Sequence, residues 1–202
     1  MYKRLSRDKA AVLFVDHQTG LLSLVQDFTP TEFYNNVLAL ADIAEYFNLP
    51  TILTTSYEQG PNGPIMPELK QKFPQAPYIA RPGQINAWDN EEFVAAVKKT
   101  GKTQLIIAGI VTDVCVAFPT LSALTEGFEV FVAVDASGTL NEVCRMSAWN
   151  RMSQAGAQLI SWFALAAELR RDWREDMQGF LDLNVKHLLM YRNLLNSHNA
   201  KK

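Results

Sequence analysis

The amino-acid sequence predicts an α/β protein: a three-layer, doubly wound parallel sheet with a C-terminal helical extension. Three observations lead to this fold class. Apolar runs with β-branched residues alternate with helical segments up to about residue 162 of the 202. Such runs lack polar alternation, which is typical of strands buried on both faces of a parallel sheet. Beyond residue 162 the pattern is helical only, so we assign residues 1–162 to a domain and residues 163–202 to the extension.

Six segments are predicted as strands. The first is "AAVLFVD", a continuous apolar run that ends in an acid, and the fourth is "QLIIAGI". The strand–helix–strand repeat favours right-handed crossovers and one parallel sheet. The predicted strands are Ala10–Asp16, Leu49–Glu58, a short segment within Tyr78–Gly83, Gln104–Ile110, Glu129–Ser137 and Gln158–Trp162.

The segments between the strands have helical spacing. "NEEFVAAVKKTG" carries an Asn N-cap, early acids, late lysines and a terminal Gly, which together indicate a helix. In the segment after the fourth strand, Pro119 must lie in the first helical turn or kink the helix. The predicted helices are Thr31–Asn48, a short one near Pro67–Phe73, Asn90–Gly101, Val114–Gly127 and Asn141–Ala157.

Composition excludes several classes of protein. Apolar residues make up 48% of the chain, charged residues 20%, and the net charge is −2. This composition is typical of an ordinary globular domain, and it lacks the basic excess of a nucleic-acid-binding protein. No apolar window is long enough for a membrane span, so we expect neither nucleic acid nor membrane as a partner.

Only two cysteines occur, Cys115 and Cys144, and the N-terminal segment has no signal-peptide pattern. A disulfide framework is therefore not expected, and a reducing cytoplasm is the simplest location.

Three reactive side chains are predicted at one edge of the sheet. Asp16 ends the first strand, Arg81 follows "YIA", and Cys115 follows "QLIIAGI". Ligands bind outside the carboxyl ends of the strands in open parallel sheets, so these groups are expected to converge there. Taken singly, each has an ordinary structural explanation. Asp16 could be a strand-end acid, Arg81 part of a surface ion pair and Cys115 a buried core cysteine.

Together the three residues suggest nucleophilic catalysis. A helix N-terminus and the Arg81 cation would favour the Cys115 thiolate, and Asp16 would accept a proton and later return it to a leaving amine. Backbone N–H groups in the turn before Cys115 would hold an oxyanion.

Other chemistries have weaker support. His17 adjoins Asp16 and would point to the opposite face of the sheet, as a core or pocket-rim residue. Cys144 is predicted to lie in the core. The sequence contains no G-x-S-x-G, G-x-G-x-x-G, P-loop or C-x-x-C motif, so no nucleotide cofactor is expected.

Four stretches resemble the isochorismatase-like hydrolases, also called the cysteine hydrolase superfamily. They are "AAVLFVDHQTGLL", "YIARPG", "LIIAGIVTDVCVAFPTLSALTEGFEVFVAVDASGT" and "SAWNRMSQAGA". The likeness spans about residues 10–162 and is greatest to the YcaC-like bacterial group. It implies a Rossmann-like fold and an aspartate–lysine–cysteine triad that attacks amides through a thioester-like intermediate, with Asp16 as the acid and Cys115 as the nucleophile. It also implies a cis peptide at Ile110–Val111 and an oxyanion hole formed by the N–H groups of Val111 and Cys115.

The sequence departs from the family pattern in two places. Arg81 stands at the lysine position, and an arginine can stabilise charge but cannot shuttle a proton. The two histidines with which nicotinamidase relatives bind zinc are absent from "TTSYEQGPNGP", so no metal is expected. Pocket shape is assigned to five residues, each of which could instead be ordinary packing: Gln18, Asn86, Trp88, Thr112 and Phe118.

The sequence therefore predicts a metal-free cysteine hydrolase of a small amide-type C–N bond. Two alternatives remain: a redox-responsive thiol protein that uses Cys115, and a non-catalytic assembly on the same fold. The YcaC-like resemblance implies a homo-oligomer, an octamer of two stacked rings. The extension is expected either to pack on its own domain or to cover a neighbouring subunit.

Overall fold

The computed structural model describes residues 3–200, and its centre is a six-stranded sheet in which every neighbouring pair is parallel. The strand order is β3-β2-β1-β4-β5-β6, so the order reverses between β1 and β4. In the central pair, Ala10 lies opposite Gln104 and Val15 opposite Gly109. The strands are β1 (Ala10–Val15), β2 (Thr51–Ser56), β3 (Tyr78–Arg81), β4 (Gln104–Gly109), β5 (Glu129–Ala133) and β6 (Gln158–Ile160).

Eight α-helices accompany the sheet in the described part of the chain. Polar side chains cap several of them: Thr29 accepts from the N–H of Glu32, and Asn141 accepts from that of Cys144. The helices are α1 (Pro30–Tyr46), α2 (Pro67–Lys72), α3 (Glu91–Lys99), α4 (Ala117–Thr125), α5 (Glu142–Gln154), α6 (Trp162–Arg170), α7 (Met177–His187) and α8 (Leu189–Asn199).

Side chains of the central strand β1 alternate between two cores. Val12 and Phe14 pack with α1 and α6 on one face of the sheet. Leu13 and Val15 pack with α3, α4 and α5 on the other. The sheet is thus buried on both faces, which explains the continuous apolar runs and confirms the three-layer α/β prediction.

The C-terminal helices differ in how they are held. Helix α6 contributes Leu165 and Leu169 to the first core. Helix α7 is tied to the domain through the Asp42 carboxylate, which lies 2.6 Å from Lys186 Nζ and 2.6 Å from His187 Nε2. Helix α8 has no buried residue, and its Met190 is 84% exposed. Helices α6 and α7 therefore pack on their own domain, whereas oligomer contact remains a prediction for α8.

Element boundaries shift where side-chain hydrogen bonds or turns intervene. The helix predicted from Val114 is instead a π-helical turn over Thr112–Val116 followed by α4, with Pro119 in the first turn of that helix. The strand predicted to reach Ser137 ends at Ala133, where a turn begins. Across residues 3–200, none of the helices combines the length and apolar character needed to span a membrane.

Candidate active site

The three predicted reactive residues meet at the carboxyl edge of the sheet. Asp16 directly follows β1, Arg81 is the last residue of β3, and Cys115 lies in the π-helical turn after β4. Strand β2 lies between β1 and β3 and bridges the gap through Thr54. The site therefore uses four adjacent strands around the reversal of strand order, where ligands bind in doubly wound sheets.

Arg81 is fully buried, and all three nitrogens of its guanidinium donate hydrogen bonds within the protein. Its Nη2 donates to Asp16 Oδ1, and its Nε donates to Thr54 Oγ1 at 3.0 Å. Its Nη1 donates to the carbonyl oxygens of Gln84 and, at 3.2 Å, of Ile85. The arginine is thus a fixed positive charge beside Asp16, with no donor pointing to solvent.

Asp16 is also fully buried, in the left-handed backbone region at φ 57°. Burial raises the pKa of its carboxyl group, whereas the Arg81 charge and the hydrogen bonds to Arg81 and Cys115 oppose that rise. Its Oδ2 has no partner of full hydrogen-bond geometry within residues 3–200, so this oxygen is open to a proton. The carboxyl group is therefore a buried acid–base group with one occupied and one open oxygen.

The pKa of the Cys115 thiol is raised in the fold, which is opposite in direction to the expectation of a stabilised thiolate. Burial raises the pKa of the thiol first, and the charge and hydrogen bond of Asp16 raise it further. The N–H of Val111 and the charge of Arg81 lower it, but by less. The expectation failed because Arg81 is paired with Asp16, so the sulfur faces a nearly neutral ion pair inside a poorly solvated site.

The turn that carries Cys115 is held by the segment after β5. Thr112 N–H donates to the Gly138 carbonyl at 3.0 Å, and Thr139 Oγ1 donates to Asp113 Oδ1 at 2.6 Å. Sequence reasoning missed Gly138 and Thr139, which follow the predicted strand Glu129–Ser137 and were given no role. The peptide bond Ile110–Val111 is cis, as the family resemblance implies.

The backbone donors assigned to an oxyanion hole lie in this same turn. The Val111 N–H is directed at the Cys115 sulfur, where it stabilises negative charge. It makes no main-chain hydrogen bond outside helices and strands among the described residues. The assignment of the Val111 and Cys115 N–H groups to an oxyanion hole therefore stays a prediction.

Two of the five pocket candidates are completely buried. Gln18 spends its amide on the framework: Nε2 donates to the carbonyl of Ser56 at 3.0 Å, and Oε1 accepts from Ser56 N–H at 2.8 Å. Thr112 Oγ1 has no hydrogen-bond partner within the described chain. Gln18 thus fixes the loop beside the site, and Thr112 keeps an unused hydroxyl in the turn next to the nucleophile.

The other three candidates are half-buried on the α3–α4 side of the sheet. Asn86 Nδ2 donates to Ser122 Oγ at 3.1 Å. The Trp88 ring packs on Phe93 and Phe128, and its Nε1 donates to Glu126. Phe118 lies in the first turn of α4 with the Arg151 guanidinium 5.6 Å from its ring centroid. None of these contacts is with a triad residue, so their assignment to the pocket remains a prediction.

His17 is a core residue, as its opposite orientation to Asp16 suggested. Its Nε2 donates to the Ala136 carbonyl at 3.0 Å, and its ring packs between Phe14 and Phe33. Burial lowers the pKa of His17 to about 4, so the imidazole is neutral. Cys144 is only half-buried, in the first turn of α5. Residues 3–200 contain no group of three or more His, Cys, Asp or Glu placed to hold a metal ion.

Comparison with known proteins agrees with this geometry. A family model described as "Isochorismatase domain" matches residues 10–163. The chain belongs to the isochorismatase family. This family member is 67% identical over 199 residues to the Escherichia coli K12 protein called "Probable hydrolase YcaC". The aligned region covers 98% of this chain and 96% of that protein.

Two solved structures are similar to this isochorismatase-family chain over nearly its whole length. YcaC from Pseudomonas aeruginosa, solved with hexane-2,5-diol and covalent acrylamide, has 70% identity, a TM-score of 0.97 and 98% coverage of both chains. YcaC from Escherichia coli, described as an octameric hydrolase of unknown specificity, has 67% identity, a TM-score of 0.98 and coverage of 100% and 99%. The chain is thus an isochorismatase-family hydrolase of the YcaC-like group.

Proposed function

We propose that this hydrolase cleaves a small amide-type C–N bond through an acyl-enzyme intermediate on Cys115, without a metal or cofactor. One observation carries the proposal: a thiol, a carboxyl group with an open oxygen and a guanidinium paired with that carboxyl group form one buried cluster at the ligand-binding edge. A nucleophile, a base and a group that orients the base are the parts that acyl transfer requires.

In the first step Cys115 Sγ attacks the amide carbon while its proton passes to Asp16. Transfer during the attack suits this site, because the resting thiol is neutral and a free thiolate would be poorly solvated. The raised pKa of Asp16 makes its carboxylate a better proton acceptor than an exposed one. The N–H groups of Val111 and Cys115 hold the carbonyl oxygen as it becomes negative.

In the second step the tetrahedral intermediate collapses, the C–N bond breaks, and Asp16 gives its proton to the leaving nitrogen. A thioester remains on Cys115. Water then attacks the thioester carbon, Asp16 takes one water proton, and collapse of that adduct returns the proton to sulfur. The products are an amine and a carboxylic acid, and the protein regains its starting protonation.

Arg81 acts as the electrostatic partner of Asp16 and transfers no proton, because an arginine stays charged in proteins. Its four contacts hold the Asp16 carboxyl group with Oδ1 occupied and Oδ2 open. Arginine at the family's lysine position is thus compatible with a mechanism in which the aspartate moves every proton.

The raised thiol pKa argues against a redox-sensing role, because oxidants react with exposed thiolates of low pKa. The covalent acrylamide in the Pseudomonas relative supports access for small amide-bearing molecules. We also propose an octamer, supported by the Escherichia coli relative and by the exposed apolar residues Leu189, Met190 and Leu194 of α8.

Intact-mass spectrometry after acid quench tests the proposed function. A Cys144→Ser background leaves Cys115 as the only thiol, and this protein is incubated with a pool of small amides. We expect an added mass equal to an acyl group, absent from Cys115→Ser and released by hydroxylamine. Release of ammonia or amine without any Cys115-dependent adduct or activity loss in Cys115→Ser would overturn the covalent mechanism. No amine release across the pool would favour the non-catalytic assembly.

A further inference from the structure

Loops at the carboxyl edge have a one-sided charge. The five connections that leave β1 to β5 span residues 16–29, 57–66, 82–90, 110–116 and 134–141. These connections contain six acids and no lysine or arginine: Asp16, Asp27, Glu58, Asp89, Asp113 and Asp135. Several cations instead lie at the amino edge, in the segment before β1 and around the start of β4.

Four of these six acids lack a cationic partner among the described residues, although burial raises the pKa of one of them, Asp135, to about 6. Asp16 is paired with Arg81, and Asp27 lies 3.6 Å from Arg145. The remaining four acids form no ion pair within residues 3–200: Glu58, Asp89, Asp113 and Asp135. Charge of one sign around a low-dielectric cleft sets the local concentration of charged ligands.

The arginines near this edge are already occupied. Arg81 is fully buried, and each of its three guanidinium nitrogens donates to an acceptor inside the protein. Arg145 donates to the Asp27 carbonyl at 3.1 Å and stacks between Phe28 and Trp149. Arg151 lies 5.6 Å from the ring centroid of Phe118, which is in the first turn of α4.

Several exposed side chains at the same edge are apolar. Tyr57, the first residue after β2, is 52% exposed, and Ile85, in the loop after β3, is 61% exposed. Leu140, before α5, is 45% exposed, and Val143 in its first turn is 78% exposed. A substrate that approaches Cys115 therefore meets hydrocarbon and negative charge.

We propose that the substrate is an uncharged amide with an apolar acyl group, and that the acidic loops reject substrates carrying a carboxylate. The identity of the substrate as an amide rests on the proposed function. The rejection of negative charge does not, because it applies to any molecule that reaches Cys115. The same field favours turnover, because hydrolysis converts a neutral amide into a carboxylate that the loops repel.

Alkylation of Cys115 tests the charge selectivity without requiring catalysis. Iodoacetamide and iodoacetate differ mainly in charge, so their rate ratio is measured on the Cys144→Ser protein and on a small free thiol at the same pH. We expect the protein to disfavour iodoacetate by a further factor of about 5–10 at low salt. Near 1 M salt, where the screening length falls to about 3 Å, most of this factor should disappear.

Variants locate the source of the selectivity. The double substitution Asp89→Asn and Glu142→Gln removes two negative charges and should reduce the discrimination against iodoacetate. Glu142 is an exposed acid in the first turn of α5. Asp8→Asn, which removes an exposed acid before β1 at the amino edge, is the matched control and should not change it. Equal preference in protein and free thiol would overturn the proposal. Faster reaction with iodoacetate that is lost in Arg151→Gln would also overturn it, in favour of an anion subsite at Arg151.

Turnover of matched amides separates this proposal from the hydrolase proposal. Butyramide and succinamate have similar length and differ by one carboxylate, and we expect a higher kcat/KM for butyramide. Equal or higher kcat/KM for succinamate would overturn the selectivity. If neither is hydrolysed but the alkylation discrimination persists, amide hydrolysis loses support while the charge selectivity stands.

Discussion

The buried pair of Arg81 and Asp16 allows a quantitative test in which Arg81 is replaced by Met. This change leaves Asp16 without its partner inside the protein and deletes the hydrogen bond to Thr54 at 3.0 Å. Breaking a buried ion pair by removing one partner costs about 3–5 kcal/mol. We expect Arg81→Met to lower the free energy of unfolding by about that amount at pH 8.

The cost should depend on pH in a defined direction. Burial raises the pKa of Asp16, and loss of the Arg81 charge raises it further. A carboxyl group with a raised folded-state pKa stabilises the protein at low pH, and this stability is lost as pH rises through the folded pKa. One bound proton changes stability by about 1.4 kcal/mol per pH unit, so the defect should shrink by up to about 4 kcal/mol between pH 8 and pH 5.

Urea unfolding at pH 8 and pH 5 measures the loss of stability in Arg81→Met. The protein concentration is kept the same throughout, because the stability of an oligomer depends on concentration. Arg7→Met is the matched control, since Arg7 pairs with Glu175 at 2.9 Å where both side chains are about 40% exposed, and such pairs contribute about 0–1 kcal/mol. If Arg81→Met does not fold, Arg81→Lys retains the charge and should show a smaller defect. A defect in Arg81→Met no larger than in Arg7→Met at pH 8 would refute the reasoning.

Three further variants test the site and the core. Asp16→Asn should abolish hydrolysis. It should also speed iodoacetamide alkylation of Cys115 at pH 8 by about tenfold or more, because it removes a charge that raises the thiol pKa. Asp8→Asn is the control, and an unchanged alkylation rate in Asp16→Asn would contradict this expectation. Thr139→Val should lower the free energy of unfolding by about 1.5–3 kcal/mol, because it removes the 2.6 Å hydrogen bond to Asp113. It should also lower kcat more than it changes KM, and a wild-type kcat would exclude a positioning role for Thr139. His17 is held neutral with a pKa of about 4, so stability should fall by about 3 kcal/mol as pH drops from 6.5 to 4, and urea unfolding of His17→Phe should lack this component.

Strand positions were predictable because burial on both faces leaves a direct trace in composition. "AAVLFV" and "QLIIAG" form β1 and β4 with every residue buried, so no polar position interrupts either run. The convergence of Asp16, Arg81 and Cys115 followed from the rule that parallel strands end at one edge. These predictions needed only local sequence and topology.

Features that depend on tertiary contact were missed. The π-helical turn at Thr112–Val116 is held by Gly138 and Thr139, more than 20 residues away. The acidity of Cys115 was predicted with the wrong sign, because the sequence shows neither the depth of burial nor that Arg81 is already paired. Helix propensity and residue type predicted which residues form this site, but not that Asp16 offsets the positive charge of Arg81.

The high pKa of the Cys115 thiol also bears on how the protein survives oxidants. An unfolded chain exposes an ordinary cysteine, part of which is thiolate near neutral pH, whereas the native fold keeps the sulfur protonated. Peroxides and disulfides react with thiolates, so completion of the β1–β4 pairing, which brings Asp16 beside Cys115, also protects the nucleophile. In the folded protein the Cys115 sulfur is therefore a weaker target for oxidants than the same residue in the unfolded chain.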